Sequence, residues 1–202
     1  VENSSILVEA REEFEKIKNE KIYNEAKKAY DCLKENADLS DKHTEDIQNV
    51  WNWAIFDMDD VHEYIIYSSI ALQTNDFTEE ELENAAKNHP SFLYTDLYFT
   101  PEYLVKDWNN CIALLYFAIT ERGVIDDINE NRANAETALK NLKNTYNDEK
   151  YYPALQEYYN AVSSYVEFFL EYSGNLGNYS TEKSKYADEV KRCENELKIL
   201  LG

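Results

Sequence analysis

DIQNVWNWAIFDMDDVHEYIIYSSIAL, Asp46–Leu72, is the stretch whose reading decides the fold. At helical period Ile47, Val50, Trp51, Ala54, Ile55, Met58, Val61, Ile65 and Ser69 share one face, while Trp53, Phe56, Tyr64 and Tyr67 occupy the other. Both faces therefore need cover. A second stretch, PEYLVKDWNNCIALLYFAI, Pro101–Ile119, is apolar around most of its circumference, and the 202 residues contain only four Gly and three Pro. We expect an all-α bundle of six or seven mostly antiparallel helices. Two of them are buried and central, one over 41–74 and one opened by Thr100-Pro101, with a threonine N-cap and proline in the first turn.

The flanking segments read as amphipathic wrappers. A first, outer helix is expected over Ser5–Asn36, closed by a turn at Ala37-Asp38-Leu39-Ser40, with Ser40 capping the next helix. Thr78 and Glu81 form a capping box for a short helix over 79–88, stopped by Pro90. Ser91–Phe99 reads as a buried linker. After Gly123 come a peripheral helix from Ile125 to Tyr146, one from Glu149 to Gly174 with Pro153 in its first turn, and a last one capped by Ser180 or Thr181. Ala26-x-x-Ala29-Tyr30-x-x-Leu33-Lys34 aligns without gaps on Ala135-x-x-Ala138-Leu139-x-x-Leu142-Lys143. The chain is thus read as one domain over 1–202; the match fits either a duplicated helical hairpin, with halves 1–123 and 124–202, or chance similarity between amphipathic helices rich in Ala, Leu and Lys.

Composition limits function. At 44% hydrophobic residues, with 17 Tyr, 8 Phe and 3 Trp, the chain holds enough material for a sizeable core. Twenty Lys+Arg against 40 Asp+Glu give a formal charge of −20, which disfavours direct contact with nucleic acid or anionic membranes. Mimicry of nucleic acid needs carboxylates gathered on one face, whereas here they interleave with Lys on nearly every helix, as on a solvated surface. Cys32, Cys111 and Cys193 are too scattered for a zinc site, and a Cys32–Cys193 disulfide between terminal helices stays open. The longest apolar run, Cys111–Ile119, is far shorter than the ~20 residues of a membrane span. The opening Val1-Glu2-Asn3-Ser4-Ser5 lacks Met and fits both a trimmed chain and a mature exported one.

Motifs for chemistry are sparse. Two-metal bundles use Glu-x-x-His pairs from two helices, and Asp59-x-x-His62, beside Asp57, Asp60 and Glu63, imitates one half of that pattern without a second. The preferred reading of His62 is a core or boundary histidine; His43 and His89, near expected helix ends, read as surface residues. Ser163-Ser164 lie within a helix, and Gly174–Gly177 lacks the following Lys of a phosphate cradle. The expectation is a non-enzymatic chain without metal or cofactor. Aromatic residues cluster more tellingly. Phe92, Tyr94, Tyr98, Phe99 and Tyr103 surround one interhelical connection, and Tyr151 and Tyr152, with Tyr158 and Tyr159, crowd the start of another helix; both groups suit recognition of a protein or small ligand.

The run Ala138-Leu139-x-x-Leu142, then Tyr152-Pro153-Ala154-Leu155-x-x-Tyr158-Tyr159-x-Ala161-Val162-x-x-Tyr165, then a final amphipathic helix resembles the helical ectodomains of lipoproteins from low-GC Gram-positive bacteria. The resemblance spans about a third of the chain and brings no catalytic residues. It implies an extracytoplasmic interaction module tethered by a lipid anchor upstream of residue 1. The alternative expectation is a cytosolic acidic inhibitor or immunity protein that blocks a basic partner.

Overall fold

The computed structural model describes residues 2–57, 66–89 and 108–202. Among them are seven α-helices and no strand, an all-α bundle. We number them α1 (Glu2–Phe56), α2 (Ile66–Ala71), α3 (Glu79–Asn88), α4 (Trp108–Glu121), α5 (Val124–Lys140, running into a π-helical turn at Asn141–Thr145), α6 (Tyr152–Glu171) and α7 (Leu176–Leu201). None of them is long and apolar enough to cross a membrane.

The expected turn at Ala37–Ser40 is not there. The chain runs straight through it as part of one helix of 55 residues, about 80 Å long. Neither Gly nor Pro interrupts the segment, and the residues that imitate a turn are used otherwise. Asn36 donates from Nδ2 to the Ile128 carbonyl at 3.0 Å. Lys34 and Asp38 form an i,i+4 ion pair across the site, and Ala37 and Ser40 are buried on the core face. Ser40 caps nothing. Asn36 bonds across to α5, Asp38 pairs with Lys34 within α1, and Ser40 is buried by packing with its hydroxyl unpartnered among the described residues, so burial against neighbouring helices overrides local preference.

This continuity makes α1 the axis rather than an outer helix. It contacts α4, α5, α6 and α7, and its contact with α5, expected to be peripheral, is the most extensive between helices among the described residues. Two side-chain bonds set the direction of that pair: Asn36 reaches Ile128, and Asn141 reaches Glu25, so the helices are antiparallel. Ala26, Ala29, Ala135 and Ala138 are all fully buried, and small residues at such positions let two backbones approach closely. α6 runs parallel to α1, since Tyr23 meets Tyr151, Tyr30 stacks on Tyr158, and Thr44 bonds Tyr165. α7 returns antiparallel, with Gln48 on Ser180 and Tyr30 on Glu194.

Segment 41–74 is likewise not one helix. Its first part is the end of α1, where Trp51 and Trp53 are both buried, and α2 follows at Ile66–Ala71. α4 buries Cys111, Leu114, Leu115, Ala118 and Ile119, as expected of the apolar run. Gly123, at φ 79°, supplies the left-handed step from α4 into α5 that a Cβ would strain. The capping box of Thr78 and Glu81 is present on α3. The last helix starts earlier than expected and is capped by Asn175, whose side chain accepts from the Asn178 amide at 3.0 Å; Ser180 instead accepts from Gln48. All three cysteines are free thiols. Tyr30 faces α7, and Cys32, two residues on, lies about 160° away around α1, so Cys32 and Cys193 face different neighbours.

Candidate binding groove

The end of α5 builds one of several surface grooves among the described residues. After Lys140 the helix widens into its π turn, with the Tyr146 amide reaching back to the Asn141 carbonyl; single π turns are frequent at functional sites. Asn147 turns the chain with φ 49°, and the Asp148 carboxylate accepts from the amides of Tyr151 and Tyr152 at 2.7 and 2.8 Å, starting α6 ahead of Pro153. Tyr152, Gln156 and Tyr159, spaced i, i+4, i+7, then form one wall of the groove. Glu136, Leu139, Lys140, Lys143 and Asn144 form the other, around a cavity of about 360 Å³.

Within it, Tyr159 donates to Glu136 at 2.6 Å, Tyr152 donates to Gln156 at 3.1 Å, and the Lys143 ammonium sits 5.6 Å over the Tyr152 ring. Burial, reinforced by the Glu136 carboxylate, pushes the Tyr159 hydroxyl's pKa up, so it stays a neutral donor. Leu139 is a buried residue at the groove's floor. Lys140 and Lys143 are exposed, and neither has an ion-pair partner among the described residues. Two unneutralised ammonium groups beside two half-buried phenol rings suit a ligand with a carboxylate end and a flat apolar body.

Of the residues expected to bind, Tyr152 lies in this groove. Tyr151 does not: it is buried, its ring edge-on to Tyr23 at 6.3 Å and its hydroxyl accepting from Lys150 at 2.7 Å. Phe92, Tyr94, Tyr98, Phe99 and Tyr103 lie outside the described residues, as do the metal-like Asp59 and His62. The lysines, Asn144 and Gln156 were missed. Their only signal was spacing, Lys140/Lys143 at i,i+3 and Tyr152/Gln156/Tyr159 on one face.

Of the two histidines expected at helix ends and on the surface, His89 does stand at an end, as the C-cap of α3, and His43 does not. His43 is buried because no helix ends near it; its Nδ1 lies 3.1 Å from Asp46, whose other oxygen accepts from the backbone and side-chain nitrogens of Asn75, and its ring packs on Phe77 and Phe169. His89 is half-buried, stacked on Phe117 at 4.2 Å, with Nε2 3.1 Å from Glu121. Glu157, Glu189 and Cys193 present ligand atoms close enough for one cation. The position is taken by Arg192, whose Nη2 reaches Glu157 at 2.5 Å, Glu189 at 2.8 Å and the Cys193 sulfur at 3.3 Å. That trio is an ion-pair hub. Comparison with family models, with curated proteins and with solved structures gives no match.

Proposed function

We propose that this chain is a non-catalytic binding module, exported and held at the cell surface in the manner of helical lipoprotein ectodomains, and that the α5–α6 groove takes a carboxylate-bearing ligand. One observation carries the binding site: Lys140 and Lys143 have no ion-pair partner among the described residues and outnumber the one carboxylate of the groove, Glu136, which Tyr159 engages. The two ammonium groups attract a carboxylate at short range, against the repulsion of the acidic surface around them. The cavity is at the lower end of the ~300–1,000 Å³ usual for ligand sites, which fits an aromatic carboxylate or an acidic peptide side chain.

Amide chemical shifts followed during titration with phenylacetate and with a short Asp/Glu peptide test the site. Shifts centred on 139–144 and 152–159, lost in Lys140→Ala/Lys143→Ala, are expected. Shifts elsewhere, or none at millimolar ligand, overturn it. Cell fractionation with analysis of the mature N-terminus tests the location: a lipidated cysteine in the membrane fraction is expected. Unlipidated protein in the cytosol would instead favour the acidic inhibitor of a basic partner, whose support is the −20 charge and whose association would weaken steeply with salt.

A further inference from the structure

The beginning of α1 stands clear of the bundle. From Leu7 to Lys21 every residue is exposed except half-buried Lys18, and burial begins at Ile22. An isolated helix of this length is marginal in water, yet it holds Leu7, Phe14 and Ile17 in solvent at 71%, 65% and 44% exposure. With Ala10 these residues are spaced three, four, three. That places Leu7 and Phe14 at the a positions and Ala10 and Ile17 at the d positions of two heptads.

The same register, carried along α1, falls on Lys21, Asn24, Lys28, Asp31, Glu35 and Asp38, and all six are exposed. The buried face, Ile22, Ala26, Ala29 and Leu33, is turned from the apolar seam by roughly 120°, at about 100° per residue. The seam is therefore no overrun of the core face. Its line stays in solvent beside α5, α6 and α7, so a partner approaching along it does not meet this chain's own bundle.

Charge selects the occupant. The e positions are Arg11 and Lys18, and the g positions are Glu13 and Glu20. In a parallel pair each g residue faces the e residue five positions on in its partner, which sets Glu13 of each copy against Lys18 of the other. An antiparallel pair would set like charge against like. At the next heptad Glu20 would face Glu25, and Lys21 takes an a position, so the pairing ends where the bundle begins.

We propose that this arm joins a second copy of the chain in a parallel two-stranded coiled coil, with Leu7, Ala10, Phe14 and Ile17 in the seam, Glu13 and Lys18 bridging it twice, and the two bundles lying outside. The inference is independent of the α5–α6 groove. Sedimentation of the whole chain over a range of concentrations tests it, with a reversible monomer–dimer equilibrium expected. Phe14→Asp/Ile17→Asp should leave a monomer whose unfolding curve matches that of the native chain at concentrations where it too is monomeric, because both residues lie beyond the core. Glu13→Lys should weaken the dimer about tenfold or more by setting lysine against lysine, and Glu13→Lys/Lys18→Glu should restore it. A chain monomeric at every concentration, a dimer that survives Phe14→Asp/Ile17→Asp, or a charge swap that fails to restore association overturns the proposal.

Discussion

Asp41→Pro separates a continuous α1 from two helices joined by a turn. If a helix began after Ser40, residue 41 would be its first position, where proline is favoured, and the substitution would be nearly free. In the structure Asp41 lies inside α1. Proline there removes an i→i−4 backbone bond and presses its ring on the preceding turn, at a cost of about 3 kcal/mol. The substitution also removes the carboxylate that accepts from Tyr165 at 2.8 Å. That loss costs about 1 kcal/mol, limited because Tyr165 keeps Thr44 at 2.9 Å. Asp41→Ala measures this second part alone. The expected costs are then about 1 kcal/mol for Asp41→Ala and about 4 for Asp41→Pro, the latter a large share of a typical total of roughly 5–15. Urea unfolding followed by far-ultraviolet circular dichroism reads the difference as a midpoint shift of about 1 M for a slope near 3 kcal/mol/M. Asp41→Pro within about 0.5 kcal/mol of Asp41→Ala would refute a continuous helix.

Other expectations concern buried phenols and one arginine. Tyr165→Phe should cost about 1 kcal/mol by deleting bonds to Asp41 and Thr44, whereas Tyr158→Phe, whose buried hydroxyl has no hydrogen-bond partner among the described residues, should be neutral or stabilising in the same unfolding assay. Burial, with the Glu194 carboxylate adding to it, pushes Tyr30 up to about 12, and burial alone does the same to Tyr116. Protonated phenol is thus favoured in the fold, so this stability is complete below pH 10 and is lost between about 10 and 12. Phenolate absorbance from these residues should rise together with loss of helicity, and ionisation near 10 with helicity intact would contradict their burial. Arg122 grips both oxygens of Glu81 at 2.7 and 2.8 Å, bonds Asp76 at 2.6 Å and lies over the Phe77 ring. Its bonds hold Glu81 at about 2 against an ordinary 4.5, despite some burial. The ionised form is favoured, so the contribution is complete above about pH 4.5 and fades towards pH 2; with Glu81 37% exposed, screening holds it to about 1–2 kcal/mol. The stability gap between the native chain and Arg122→Met should therefore narrow as pH falls through that window, and a constant gap would show that the ion pair contributes nothing.

What the sequence made legible follows from how each feature is encoded. Periodicity and caps are local signals, and they found the helical class, the Thr78–Glu81 box and the break at Gly123. Tertiary use of a polar residue has no local signature. Ala37, Asp38 and Ser40 therefore read as a turn although Ala37 and Ser40 are buried in the core and Asp38 pairs with Lys34 within one continuous helix, and Lys140 and Lys143 read as ordinary solvated surface. Centrality was misjudged for a related reason. A helix can be central through small residues, which bring backbones together, or through large apolar ones, which fill volume; hydropathy registers only the second kind. α1 is charged on its outer face and lined with alanine on its inner one, so it looks peripheral while holding the axis. The same physics accounts for the match between Ala26…Leu33 and Ala135…Leu142. The bonds from Asn36 to Ile128 and from Asn141 to Glu25 bring Ala29 opposite Ala135 and Ala26 opposite Ala138 to within about one residue of register. The two segments are opposing sides of one antiparallel interface. Close approach requires small residues at the same spacing on both, so complementarity alone makes them alike and no duplication is needed to explain the match.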